Sequence, residues 1–588
     1  MTISSKLKRF EISESRLVAK AVHVSDSHDP LIRRGATHSA KRAAPPRRGM
    51  ALALVLLVVM LLAYAGYSFT AIMVAEAATT SMYERDAQTR ACADSGIEFV
   101  AAILGAAVDG ATLPNLYNNP ELFQAVLLQN SPVPRGRLML SIVAPVENDV
   151  SGSSLRFGLI DESSKLNLNA LLQTDLDDEQ LRDALLALPN MTIEIADAIL
   201  DWIDEDDQPR SYGAENEYYG TLNPPYQTKN GRLESLDELL LVRGVTAVGL
   251  FGEDVNRNGL LDANENDGQL TAPLDIPDGI LDRGWHALLT VASREVNLRS
   301  DGTPRINVNQ EDLVAMYDEL LAEFDEETAR FVTAMRITPA LEAGDAGAAG
   351  QNAGDAGGSA RGGAGSTQSN GASATQGGAS SAGGGRTSVS RGGLDLSSGA
   401  QTQIGSLFEL VGATVTAEVN GQSEALTSPW PDDPSSLTES LPLLLDTLTT
   451  TDEEFIEGRV NIAQAPREVL LAIPEIDEEL TNAILGAQVA MGGAAVESDP
   501  LRTTSAWLLV EGHVDLETIR TLDPFIGGNG DLYRVQVLAQ FESGGPATRL
   551  EATVDATQQP PRIVSIRDLT SLGWGYSASQ ISQPTGTF

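Results

Sequence analysis

Between residues 50 and 75 no side chain carries a charge, and most are Ala, Leu, Val or Met. A helix of about 20 such residues crosses the hydrocarbon core of a bilayer. No other stretch of the 588 residues comes close, so a single membrane pass is expected. Ahead of the run lie Lys6, Lys8, Arg9, Arg16, Lys20, Arg33, Arg34, Lys41, Arg42, Arg47 and Arg48, against only Glu11, Glu14, Asp26 and Asp29. Lys and Arg in excess mark the cytoplasmic side. Residues 1–49 are therefore predicted to be a basic cytoplasmic leader, with everything after residue 75 outside. The apolar run is longer than a signal-peptide core, which holds about 7–15 residues. Ala75-Glu76-Ala77-Ala78 remains an alternative site for ordinary signal cleavage.

The formal net charge is −41, while the hydrophobic fraction of 42% is ordinary for a folded chain. An acidic surface repels phosphates, so nucleic acid is excluded as a partner. Hard cations such as calcium suit it better. The lone cysteine, Cys92, allows no intrachain disulfide and reads as a small, partly buried apolar residue. Enzyme signatures are absent. His23, His28 and His38 sit in the leader, and His286 and His513 stand alone. No Ser-His-Asp order, zinc spacing or phosphate loop occurs, and the carboxylates cluster in metal-like loops instead of pairing as in a glycosidase. Trp202, Trp285 and Trp430 read as packing residues.

The membrane helix can continue through 79–104, with Ala91, Ile97, Ala101 and Leu104 on one face. Strands are expected at 138–143 and 155–160, and again at 533–541, 548–554 and 563–566. Together they predict an antiparallel sheet for the N-terminal helix to pack on. Between the two sets lie amphipathic helices at 179–188 and 193–203, joined by the hairpin Leu188-Pro189-Asn190-Met191. Helix-hairpin-helix patterns follow at 236–251 and 460–487, and Ile306-Asn307-Val308-Asn309 looks like the strand opening another copy. Glu475, Asp477, Glu478 and Glu479 line the later hairpin and would repel phosphate, so these units are read as packing devices. Residues 343–391 are mostly Gly, Ala, Ser, Asn, Gln and Thr, too poor in apolar side chains to offset their ordering entropy, and read as a flexible linker.

The expected fold is α+β: a transmembrane and spine helix on an antiparallel sheet, with a large inserted helical domain. Its segments are the leader 1–49, the helix 50–104, a first sheet part 105–165 and an inserted helical domain 166–253 with an acidic loop. A calcium-loop region 254–340, a linker 341–402 and a mixed segment 403–459 come next. A second helix-hairpin-helix region 460–530 and C-terminal strands 531–588 complete the chain.

The sharpest motif runs from Asp254 to Glu265. Asp254, Asn256, Asn258, Asp262 and Glu265 supply oxygens at positions one, three, five, nine and twelve of a calcium loop. Gly259 takes the turn at position six, Leu260 offers its carbonyl, and Leu261 is the expected apolar pin. An echo at Asp275-Ile276-Pro277-Asp278-Gly279-Ile280-Leu281-Asp282 lacks the first ligand positions. A second candidate lies within 201–219, where carboxylates crowd the C-terminal end of a helix against its dipole. A bound cation is the simplest compensation, and Asp204, Asp206 and Glu215 are its expected ligands.

Arg47-Arg48-Gly49-Met50, a basic stretch and a glycine directly before the apolar run, resembles the cleavage site of type IV prepilins and type II secretion pseudopilins. In that family a membrane peptidase cuts after the glycine, here between Gly49 and Met50. The usual Glu at the fifth mature position is replaced by Leu54, a departure characteristic of the K class of minor pseudopilins. The acidic run with Gly213-Ala214-Glu215 resembles that class's calcium-binding region. Lys229-Asn230-Gly231 with Ser235-Leu236-Asp237-Glu238-Leu239 resembles its next block, and Asn461 with Ala465-Pro466-Arg467-Glu468-Val469-Leu470 a later one. The resemblance implies an inner-membrane protein with a periplasmic body at the tip of a secretion pseudopilus, helping initiate its assembly. It implies calcium as the bound ion, and other minor pseudopilins, secretion components and the prepilin peptidase as partners. The alternatives are a membrane-tethered calcium-dependent adhesin and a type IV pilus tip protein.

Overall fold

The computed structural model describes residues 48–106, 114–149, 151–271, 275–339, 389–491 and 500–581. Nearly all of the basic leader and most of the Gly/Ala/Ser-rich segment lie outside the described residues. The chain divides into two compact units, Met1–Ala78 and Thr79–Phe588.

Helix α1 spans Arg48–Ala106 and contains no proline. Among the described residues it is the one helix long and apolar enough to cross a membrane. In the first unit its side chains are almost all exposed, including Leu54, Leu61, Tyr67 and Ile72. An all-round apolar surface of this kind fits a membrane anchor.

In the second unit α1 becomes amphipathic. Cys92, Ala93, Ile97, Val100, Ala101 and Leu104 are buried and share a core with Leu140, Ile142, Val535, Val537 and Leu550. Burial pushes the Cys92 thiol up to about 12, so it packs as an apolar group. Ala91, expected on this face, is exposed. The buried stripe runs through Cys92 and Ala93 instead, because helical periodicity fixes the spacing of a face but not its phase. Helix and sheet come close at Gly96. A Cβ there would stand 2.7 Å from Leu140 Cδ1 and 2.8 Å from Val537 Cγ1.

The sheet that receives α1 is antiparallel. Its strands are β1 (Val126–Gln129), β2 (Leu138–Pro145), β3 (Leu532–Phe541), β4 (Ala547–Asp555) and β5 (Arg562–Asp568), hydrogen-bonded in that order. β2 lies directly beside β3, with Leu140 opposite Ala539. Two neighbouring strands are thus separated by almost four hundred residues of intervening chain. The strand expected at 155–160 is two short pieces, Leu155–Arg156 against β2 and Ile160–Asp161 against β3.

The inserted part closes on itself three times. Leu166–Asn167 pairs in parallel with Leu289–Thr290, Ile306–Asn307 with Leu448–Thr449, and Val460–Asn461 with Ile526–Gly527. Each pair ties the start of a helical repeat to its end. The repeats open on antiparallel helix pairs: α2 (Asp178–Leu186) and α3 (Ile193–Ile203), α4 (Leu313–Glu323) and α5 (Glu326–Ile337), α6 (Arg467–Leu471) and α7 (Glu478–Met491). Polar caps start them. Asp177 and Gln180 form a capping box on α2, and Thr192, Asp312 and Asp325 cap α3, α4 and α5. Left-handed residues turn two of the hairpins, Asn190 at φ 57° and Glu475 at φ 65°.

The block at 236–251 is therefore not a counterpart of 460–487. It is the second half of the first repeat. Its opening turn, the 3₁₀ segment Leu236–Leu241 boxed by Ser235 and Glu238, matches Leu407–Leu410 boxed by Ser406 and Glu409 in the second. The linker is also shorter than its composition suggested. Ser390–Arg391 and Leu394–Asp395 form a hairpin that joins Thr414–Val419, and buried Leu394 and Leu396 anchor it. The sheet and the insertion meet across buried charge: Glu162 Oε1 lies 2.9 Å from Lys165 Nζ and 2.7 Å from Arg534 Nε.

Candidate metal centres

Residues 254–265 form a tight loop ending in the 3₁₀ turn Ala263–Glu265. Gly259 has φ 69°, as a position-six turn requires, and lies on Pro145 so closely that a Cβ would stand 2.6 Å from its ring. Asp254 accepts from the Asn258 and Gly259 amides at 3.0 and 2.8 Å. Glu265 accepts from the Val255 and Asp262 amides at 3.2 and 3.1 Å. Asp262 Oδ2 takes the side-chain amides of Asn256 and Asn258, at 2.6 and 3.0 Å. Asn258 spends its own Oδ1 on the Leu260 amide at 2.7 Å. The apolar pin is Leu260, buried in the sheet core, while Leu261 is half-buried and uses its amide on the Gly152 carbonyl.

Glu265 is fully buried and Asp254 nearly so. Burial pushes Glu265 up to about 7, with the charges of Asp254 and Asp262 adding to it. Burial likewise raises Asp254. No ion pair engages Asp254, Asp262 or Glu265 among the described residues. Asn256 Oδ1 is buried without a hydrogen-bond partner. Hard oxygens suit a calcium ion, but Arg283 and Arg549 already lend Asp254 positive charge, and no three acidic, His or Cys side chains among the described residues gather tightly enough to hold a metal unaided. Amide and carbonyl oxygens would have to complete the shell. In the echo, Asp275, Asp278 and Asp282 spend their carboxylates on the backbone amides of Asp267, Gly268, Ile280 and Gly284.

The second candidate follows α3. Asp201, fully buried, and Asp204 both pair with Arg210 Nη1, and Arg210 Nη2 reaches Asp178 at 3.0 Å. Much of the compensation that the acidic helix end demands thus comes from this arginine. It leaves a specific remainder. Asp204 Oδ1, both oxygens of Glu215, Thr228 Oγ1 and Asn230 Oδ1 are buried with no hydrogen-bond partner. Burial pushes Glu215 up to about 7, with Asp201 and Asp204 adding repulsion. Unpaired buried oxygens on this scale need a cation or water. Asp206 stands at the rim, exposed, with Oδ1 on the Gln208 amide at 2.7 Å and its carbonyl on Asn230 Nδ2 at 2.7 Å. Thr228 and Asn230 were not anticipated as site residues. The only sequence signal is the turn-prone Asn230-Gly231, where Asn230 adopts φ 45° and donates its amide to the Trp202 carbonyl.

Residues 164–250 match the family model described as type II secretion system (T2SS), protein K. That span holds the Asp204–Glu215 cluster and stops short of the 254–265 loop. Type II secretion system protein K of Aeromonas hydrophila is 52% identical over 56 residues, covering 9% of this chain and 17% of that protein. Its namesake from Klebsiella pneumoniae is 32% identical over 100 residues, covering 15% and 31%. The matched stretches therefore span about a third or less of these relatives' own length. A solved structure, the GspK-GspI-GspJ complex of the enterotoxigenic Escherichia coli type 2 secretion system, aligns with 84% of this chain and 99% of its own at 11% identity. The TM-score is 0.27, too low to support an assignment of fold. Over the block at 164–250, the chain is similar to the type II secretion system protein K family.

Proposed function

We propose that this chain is a K-class minor pseudopilin of a type II secretion system, acting at the tip of the pseudopilus to help initiate its assembly and so support export across the outer membrane. It is held in the inner membrane by α1, with the basic leader in the cytoplasm and the body in the periplasm. The prepilin peptidase removes the leader between Gly49 and Met50. One observation supports this reading above the others. The protein K block is inserted between neighbouring strands of a sheet whose face is covered by the continuation of an apolar helix. A subunit that stacks repeatedly along a shaft needs a slim head. An insertion running from residue 166 to 527 is compatible with a terminal position and awkward for a stacked one.

Calcium is the ion proposed for both acidic loops, with a structural role. Asp254, Asn256, Asn258, the Leu260 carbonyl, Asp262 and Glu265 would hold one ion, though Asn258 must first release the Leu260 amide. Asp204, Asp206 and Glu215, with Thr228 and Asn230, would hold another. The ion supplies positive charge to carboxylates that burial otherwise drives towards protonation.

Co-purification tests the partner reading. The full-length chain, tagged and extracted in mild detergent from its host, is expected to bring down the other minor pseudopilins in stoichiometric amounts. Recovery without any pseudopilin would contradict it.

A further inference from the structure

Between Glu121 and Glu147 the sequence holds no acidic residue, although the chain carries a net charge of −41. The charges within that interval are Arg135 and Arg137. Most of it forms β1, the loop 130–137 and β2, and β1 is an edge of the sheet. Leu127 and Leu128 on the edge strand are about half exposed, and so is Val133 in the loop, between exposed Pro132 and Pro134. Proline and arginine are ordinary guards of a sheet edge, but exposed leucines beside them are not. The loop itself is held firmly. Pro134–Gly136 make a 3₁₀ turn, Arg137 Nε donates to the Ser131 carbonyl at 2.9 Å, and Arg137 Nη1 lies 3.0 Å from Glu542. Arg135 is exposed and forms no ion pair among the described residues.

This surface lies at the end of the sheet where α1 enters the second unit. Leu138 pairs with Phe541, and the Glu542 amide donates to the Arg137 carbonyl at 3.0 Å. Arg85, close to the start of that unit, donates from Nη2 to the Gly544 carbonyl at 2.8 Å. Its guanidinium stands 4.1 Å from the centre of the Phe541 ring. Arg85 follows Ala75, the last residue of the uncharged run, by ten positions in one helix. At 1.5 Å per residue this is about 15 Å of chain. A headgroup layer extends about 5–8 Å beyond the hydrocarbon. Met82 and Tyr83, exposed on the intervening turns, are apolar and aromatic residues of the kind that such a layer accepts.

We infer that residues 127–137 form a second membrane contact, a peripheral seat on anionic phospholipid headgroups. This rests on the reading of α1 as a membrane anchor and goes beyond it. Leu127, Leu128 and Val133 supply apolar surface to the interface. Arg135 supplies an unpaired guanidinium for lipid phosphate, with its aliphatic stem along the apolar boundary. The lack of carboxylates is the feature that such a seat requires. An anionic membrane surface repels the acidic remainder of the chain and attracts this interval. A strand from a neighbouring subunit, added to the β1 edge, is the competing occupant, and it has no call on Arg135.

Fluorescence quenching on the full-length protein in lipid nanodiscs tests the seat. A fluorophore is attached to Leu61→Cys in the apolar run, Asn130→Cys in the loop, or Gln558→Cys, the native Cys92 being buried. Gln558 is exposed in the turn between β4 and β5, at the opposite end of the sheet. In discs containing phosphatidylglycerol, chain-labelled nitroxide lipid should quench Leu61→Cys. Headgroup-labelled lipid should quench Asn130→Cys at least roughly twofold more than Gln558→Cys. Arg135→Glu should remove most of that difference, as should exchange of phosphatidylglycerol for phosphatidylcholine. If Leu61→Cys is quenched while Asn130→Cys and Gln558→Cys behave alike, the seat is wrong and the anchor stands. If Leu61→Cys is not quenched, anchor and seat fall together. Quenching at Asn130→Cys that ignores both Arg135→Glu and lipid charge would contradict an anionic headgroup as the ligand. Shielding of Asn130→Cys that appears only when other pseudopilins are added would give the edge to a neighbouring subunit instead.

Discussion

Asn169 and Asn309, in successive repeats, make the same three hydrogen bonds. Asn169 accepts the Leu233 amide at 2.7 Å and donates to the Leu233 and Val291 carbonyls at 2.9 and 2.7 Å. Asn309 accepts the Ile404 amide at 2.9 Å and donates to the Ile404 and Thr450 carbonyls at 2.8 and 3.0 Å. Each side chain ties the opening strand of its repeat to the turn before the capping box and to the chain just beyond the closing strand. In the third repeat the matching position is Ala463, and this tie is missing.

Asn169→Ala should therefore be costly. It strands a buried amide and two carbonyls, each worth roughly 1–3 kcal/mol when left unpaired. Asn169→Asp should not rescue it, because it loses both donors and sets a negative charge against two carbonyls. Chemical denaturation of the exported body checks this; a loss below about 1 kcal/mol for the alanine variant would show that water replaces the side chain.

The close approach at Gly96 gives a second expectation. Gly96→Val forces a branched side chain against Leu140 and Val537, where even a Cβ is too close. Overpacking of this kind costs about 1–3 kcal/mol. The melting temperature should fall, while Ser95→Ala on the exposed neighbouring position should leave it nearly unchanged. Equal melting of Gly96→Val and wild type would mean that α1 can lift from the sheet without cost.

Stability should also fall as pH rises across the neutral range, and Asp531 contributes. Burial, with Glu295, Asp161 and Asp555 nearby, pushes it up to about 7, and burial pushes Asp161 up to about 6. Unfolded aspartate titrates near about 4, so between that value and about 7 the folded chain holds more protons than the unfolded one. Stability linked to these groups is full below the unfolded value and is lost as pH climbs through the folded ones. Asp555 is already paired with Arg294 at 2.8 Å, which leaves Asp531 the less compensated member. Asp531→Asn keeps an oxygen for the Val296 amide, now bonded at 2.8 Å, and removes the charge. Melting curves at pH 5 and 8 should show a smaller drop for Asp531→Asn than for wild type. Parallel drops would contradict the assignment.

Processing gives a fourth expectation. Mass spectrometry of the membrane form should find Met50 at the N terminus, and Gly49→Leu should leave the basic leader attached. A mature start just after Ala77 or Ala78 would favour ordinary signal cleavage.

What the sequence showed and what it hid follow from the range of the forces involved. The alternation of Tyr533 to Phe541 and the periodicity of Ile193 to Ile203 are local, and both elements appear where expected. The face of α1 was legible but its phase was not, because Ala91 and Cys92 are equally small and only the partner surface decides between them. The same ambiguity exchanged Leu261 for Leu260 as the pin of the 254–265 loop. The pairing of β2 with β3 leaves no local trace, since it joins segments on either side of the entire insertion. In the acidic loop, Asp204 and Glu215 were visible as charges. Arg210, which neutralises part of the cluster, was in plain view but not assigned that role, and Thr228 and Asn230 arrive through the turn of the following chain.

The central claim is that this chain works in type II secretion, and export itself tests it most directly. Deletion of its gene from the host should leave folded secretion substrates in the periplasm, and the wild-type chain supplied in trans should restore their release into the medium. Unchanged secretion in the deletion strain would contradict the account.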